Sequence, residues 1–285
     1  MVPSSESVSP LKVAAFRRLF TAQVVALVGT GLTTVALTLL AYDKAGGQQA
    51  AAVLGTALAV KMVAYVLFAP VVGGLAHRFA RKPFLISMDV VRASLILAMP
   101  WVTEIWQIYV LIFLLNVFSA GFKPVFSATI PDLLPDERQY TRALSLSRLA
   151  YDLEDLLSPS VAAIALLYFS YTGLFVANAV AFVLSALLIL LTAIPRAPKV
   201  WRTDSIVHDI SFGVRAYLKT PRLRGLLALY LGVASASAAV IVNTVVYVRG
   251  VLGGTETQVA LAFAASGAGS MLAALVLPRL LDRCS

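Results

Sequence analysis

The chain has 285 residues, of which 60% are hydrophobic and 13% charged, far below the quarter expected of a soluble domain. The formal net charge of +9 would suit a nucleic-acid binder, but the cations lie between long apolar runs rather than in a patch, which excludes that reading. A single cysteine, Cys284, excludes an internal disulfide.

Residues 1–18 read as a lead, polar over the first ten and a short amphipathic approach from Leu11 to Arg18. Eight apolar stretches follow: Leu19–Tyr42, Ala50–Ala76, Phe84–Thr103, Trp106–Ile130, Ala143–Phe169, Thr172–Ile194, Leu223–Val248 and Thr257–Leu281. Each reaches the length of about 20 residues needed to cross roughly 30 Å of hydrocarbon. Helices apolar on all sides have no place on the surface of a soluble fold of this size. The first run is too long for a signal-peptide core and lacks a small-residue cleavage site.

The loops alternate in charge. Seventeen of the 23 Lys and Arg residues fall on one side, among them Lys12, Arg78, Arg81, Lys82, Arg215 and Arg283. Lys44 and Arg249 lie on the other, and Lys61, Arg92, Lys123 and Arg148 lie within spans. This asymmetry predicts a cytoplasmic N-terminus in a multi-pass bacterial inner-membrane protein.

The longest polar segment, 195–222, separates a bundle of six spans (19–194) from a pair of spans (223–285), with a surface helix expected over Ser205–Leu218. Span 7 begins 204 residues after span 1, and Pro278-Arg279-Leu-Leu-Asp282-Arg283 follows Gly73-Gly74-Leu-Ala-His77-Arg78 by 205 residues. The second part thus restarts like the first. Two equal bundles would need about four more helices, so the chain reads as part of a longer plan.

Ionisable residues inside a span suggest function. Span 5 is richest, with Arg148, Asp152, Glu154 and Asp155. At 100° per residue Arg148, Asp152 and Asp155 share a stripe about 60° wide, and Glu154 points away from it. Arg148 can pair with Asp152 one turn on. Asp155 lies roughly 18 Å deep at 1.5 Å per residue, near the midplane, where desolvation suits a carboxyl to load and release a proton. Asp155 is therefore the first candidate for coupling, with Asp152, Glu154, Arg148, Asn116 and Lys61 as further coupling or substrate candidates. Asp89 and Arg92 read as a structural pair, Lys123 as a cation reaching for the interface, and Asn178 and Asn243 as interhelical hydrogen-bonders.

The segment Gly73-Gly74-Leu75-Ala76-His77-Arg78-Phe79-Ala80-Arg81-Lys82 resembles the signature loop of the major facilitator superfamily, G-x-x-x-D-R-x-G-R-R/K. Two positions depart from it. His77 replaces the acid and Ala80 the turn glycine, while the second copy keeps an acid at Asp282, next to Arg283. Ser158-Pro159-Ser-Val-Ala162-Ala163 is similar to the G-P-x-x-G-G of the family's antiporters, with the proline kept and small residues for the glycines. Asp89-Val-Val-Arg92, Lys123 to Pro135 and Phe212 to Pro221 extend the likeness to the branch of macrolide-efflux and enterobactin exporters.

The resemblance implies an all-α membrane fold, with six helices of an N-terminal bundle and the first two of a C-terminal one. It implies alternating access about a central cavity and proton-coupled export of a bulky amphiphile such as a drug or siderophore, by a protein monomeric in its full-length form. The signature residues would serve cytoplasmic gating, and Ser158, Pro159, Ala162 and Ala163 close helix packing. The competing reading is an inactive fragment or a membrane interaction protein that transports nothing. No protease, hydrolase or phosphate-loop motif is present, so an enzyme is not expected, and neither is a metal site or a cofactor. The expected partners are the bilayer, a small-molecule substrate and a coupling ion.

Overall fold

A computed structural model describes residues 9–46, 49–75, 80–195 and 218–269, without the side chains of Pro70, Leu75, Asp155, Leu156 and Pro159. After a 3-10 turn at Pro10–Lys12, the helices are α1 Ala14–Ala45, α2 Ala50–Leu75, α3 Arg81–Ala98, α4 Ile105–Leu133, α5 Glu137–Leu166, α6 Tyr171–Leu190, α7 Pro221–Val245 and α8, residues 256–269. A π turn, Val246–Val251, closes α7. The described residues contain no strand. In hydrocarbon this is the expected economy of backbone hydrogen bonds, since a helix satisfies its own.

The amphipathic approach expected over Leu11–Arg18 is not a separate element. Helix α1 starts at Ala14 and runs unbroken for 32 residues. Nothing between Phe16 and Phe20 breaks the helix, and both aromatic rings stack on its flank. The helix expected at Ser205–Leu218 lies outside the described residues, as does span 8 beyond residue 269.

Local chemistry sets the helix starts. Glu104 and Gln107 form a capping box on α4. Asp136 accepts from the Arg138 N–H at the start of α5, and Ser170 from the Gly173 N–H at α6. Six stretches among the described residues are long and apolar enough to cross a membrane. Helix α5 is not one of them, because its charged residues interrupt the apolar run.

Helices α1–α6 form one bundle. Helix α6 packs against both α1 and α3, α4 against α2 and α3, and α5 against α1. Two glycines let α1 sit close to its neighbours. A Cβ on Gly29 would lie 2.8 Å from the Ala181 Cβ on α6, and one on Gly31 would lie 2.5 Å from the Ser158 Cβ on α5. Helix α7 is different. Its large apolar residues from Leu226 to Val240 are exposed, and only its last residue, Val245, is buried. Val245 joins Val259, Ala260 and Phe263 of α8 in a cluster with Leu39, Leu40, Val53 and Leu54. The helix pair thus meets the bundle at the end where α1 finishes.

Candidate functional site

The charged residues of α5 divide by face. Arg148 Nε lies 3.0 Å from Asp152 Oδ1, one turn along the helix as the spacing predicts. Both side chains are about half exposed, at 61% and 49%. Arg148 also lies close to the Tyr230 hydroxyl on α7, so this face of α5 looks toward the second helix group. The Asp155 side chain lies outside the described residues.

Glu154 points elsewhere, as its helical angle requires. The Ser158 hydroxyl donates to the Glu154 carbonyl (2.5 Å) and reaches Glu154 Oε1 at 3.2 Å, directly against Gly31 of α1. The two side chains form the polar edge of a cavity of about 320 Å³ between α1 and α5, lined otherwise by residues such as Val24, Val28, Leu149, Leu153 and Leu157.

A polar group not anticipated in the sequence joins α1, α2, α4 and α5. The Gln23 amide donates to the Ser147 carbonyl (3.3 Å) and accepts from the Ser147 hydroxyl (2.9 Å). The Tyr151 hydroxyl lies close to Gln23, and the Tyr65 hydroxyl close to Ser119. Lys123, expected to reach for the interface, instead places Nζ 4.3 Å from the Tyr151 ring centroid. Cation and aromatic face attract each other in this setting. The available signal was Gln23, an amide inside an apolar run, together with tyrosines far from the span ends.

The other candidates are scattered. Asn116 is buried and donates to the Ile112 carbonyl of its own helix at 2.7 Å. Lys61 is half-buried on α2. Asn178 donates to the Thr33 hydroxyl (2.5 Å), joining α6 to α1 as an interhelical hydrogen-bonder should.

Of the signature-loop residues, Gly73 and Gly74 form the end of α2, and Arg81 and Lys82 the first turn of α3. Arg81 is ion-paired with Asp132 and donates to the Ala128 carbonyl, both at the end of α4. His77, Arg78, Asp282 and Arg283 lie outside the described residues. In the second motif Ala162 and Ala163 are buried in the main core, which fits close packing, and the Pro159 side chain lies outside the described residues.

A family model described as Major Facilitator Superfamily matches residues 19–285. The chain belongs to this superfamily. Among relatives, the uncharacterized MFS-type transporter YfiS of Bacillus subtilis is 28% identical over 225 residues, 75% of this chain and 52% of its own length. Macrolide efflux protein A of Streptococcus pyogenes is 24% identical over 186 residues, covering 64% of this chain and 45% of that protein. The multi-drug resistance efflux pump PmrA of Streptococcus pneumoniae is 35% identical over 104 residues, 36% of this chain and 25% of the pump. The chain spans about half the length of the first two. Membership accounts for the all-helical, multi-pass architecture.

Proposed function

We propose that the chain works as a secondary active transporter that exports bulky amphiphilic small molecules by alternating access, coupled to protons. The carrying observation is the face of α5 on which Arg148 holds Asp152 and reaches Tyr230 of α7. Charged groups in a membrane helix, turned toward the second helix group, are where a proton can change a contact between moving parts. The efflux proteins among the relatives support the direction of transport, and the apolar and aromatic side chains between α1 and α5 suit an amphiphilic cargo.

Asp155 is the proposed coupling acid, because Arg148 already neutralises Asp152. Glu154, Lys61 and Asn116 are secondary candidates, and Arg81, Lys82 and Asp282 the proposed gate on the cytoplasmic side. The test is uptake of a radiolabelled macrolide into inverted membrane vesicles carrying the chain, under an imposed pH gradient. Wild-type accumulation that Asp155→Asn abolishes, with membrane insertion unchanged, supports the reading. Accumulation by that variant at the wild-type rate removes Asp155 from the mechanism. The basic loops support a cytoplasmic N-terminus in the bacterial inner membrane.

One observation favours a second reading. The apolar side chains of α7 from Leu226 to Val240 are exposed, a face suited to another membrane protein. A non-transporting interaction protein would then insert normally yet accumulate no substrate under any gradient.

A further inference from the structure

At the end of the molecule where α1 finishes, three charged residues from three elements converge. Arg249 sits on the π turn after α7, Asp43 in the last turn of α1, and Glu256 at the start of α8. Arg249 Nη1 lies 3.1 Å from Asp43 Oδ1 and 3.9 Å from Glu256 Oε1. The guanidinium lies 4.8 Å from the Tyr42 ring centroid, so an aromatic face covers it as well. Tyr171, the first residue of α6, closes the group. Its hydroxyl lies beside Asp43 and its backbone N–H beside Glu256. An acid from the helix pair therefore sits beside the first residue of a bundle helix.

Beneath these charges lies the apolar seam of Val245, Val259, Ala260 and Phe263 against Leu39 and Leu40. The opposite half of α7 makes no comparable burial among the described residues. The bundle and the helix pair are therefore held together at one end, with the charged group as its rim.

We propose that Asp43 and Arg249 form a latch that keeps this end of the seam closed, and that its release opens the cleft on that side. Arg249 belongs to one moving part and Asp43 to the other, so the pair must separate when the parts rock apart. The naming of this side as external rests on the orientation proposed above, and the experiment separates the two claims.

The full chain, with Cys284→Ser, carries Val245→Cys as a reporter at the seam and, separately, Lys44→Cys as an exposed reference. A membrane-impermeant maleimide is added to intact cells. Lys44→Cys labels rapidly and Val245→Cys at least about tenfold more slowly. Arg249→Gln raises the Val245→Cys rate by about tenfold. Asp43→Asn does the same, and the double variant is no faster than Arg249→Gln alone, because both changes remove one contact. An unchanged Val245→Cys rate in Asp43→Asn overturns the latch, including when Arg249→Gln fails to reach the membrane. If Lys44→Cys labels only in permeabilised cells, the orientation is wrong. The same rates read in permeabilised cells then decide the latch independently.

Discussion

Arg92 and Asp89 form an ion pair one turn apart on α3 that is shut away from both water and lipid, with side-chain exposures of 6% and 0%. Ser185 of α6 donates to the second Asp89 oxygen at 2.7 Å. The guanidinium sits 4.4 Å from each of two ring centroids, Phe122 of α4 and Phe182 of α6. Three helices thus share one neutralised pair. Removing one partner of such a pair leaves a buried charge and costs about 3–5 kcal/mol. Asp89→Ala should lower stability by that amount in detergent unfolding. Asp89→Leu combined with Arg92→Met should recover most of the loss, because no charge is then stranded. A double variant no more stable than the single one counts against this account.

The close approach of α1 to α6 gives a second test. Gly29→Val should destabilise by about 1–3 kcal/mol, since the added carbons meet Asn178 and Ala181. Gly55→Ala, where nothing lies within 4 Å of an added Cβ, should leave the thermal midpoint unchanged. Comparing the two midpoints separates a steric effect from a general intolerance of glycine replacement in these helices.

Arg81 touches α4 twice, through the Asp132 carboxylate and the Ala128 carbonyl. Losing both contacts in Arg81→Ala should cost about 1–3 kcal/mol. Arg81→Lys keeps the charge but not the planar fork, and should fall between the two in thermal stability. Equal midpoints for all three proteins would show that the contact contributes nothing.

The seam should respond to pH with a definite sign. Burial, reinforced by the Asp43 carboxylate, holds Glu256 above the usual carboxylate range. Arg249 and the Tyr171 N–H oppose this only in part. The groups facing Glu256 are Asp43 on α1, Tyr171 on α6 and Arg249 on the π turn, with Tyr42 beneath the arginine. Opening the seam returns the carboxyl to its ordinary value. The closed form therefore gains stability in acid, fully present below the ordinary range and lost as pH rises through the raised value. Labelling of Val245→Cys, normalised to Lys44→Cys at each pH, should slow between about pH 7.5 and about pH 5. Glu256→Gln should flatten that profile, and acceleration in acid would reverse the argument.

The membrane architecture was legible because lipid demands long apolar runs, and the runs place helices wherever the structure describes them. The Arg148–Asp152 and Asp89–Arg92 pairs were legible for a related reason. Each lies within one helix, where spacing alone sets the angle between side chains. Contacts between helices were not. Nothing in the spacing of Asp43 and Arg249, or of Gln23 and Ser147, places one against the other, since each pairing depends on how distant helices pack. Lys123 shows the same limit. Its depth suggested the interface, but Tyr151, presented by a neighbouring helix, gives it a nearer partner.

The π turn at Val246–Val251 has a consequence of its own. The Leu252 N–H reaches back to the Tyr247 carbonyl and the Gly254 N–H to Val248, so the winding here is wider than in the rest of α7. One surplus residue in such a coil shifts the azimuth of everything near it by about 100°. Deleting a single residue there would leave hydropathy and composition almost untouched, yet swing the guanidinium away from the first helix. Two homologues of equal greasiness can thus differ in whether this charged rim closes, by the length of one short coil.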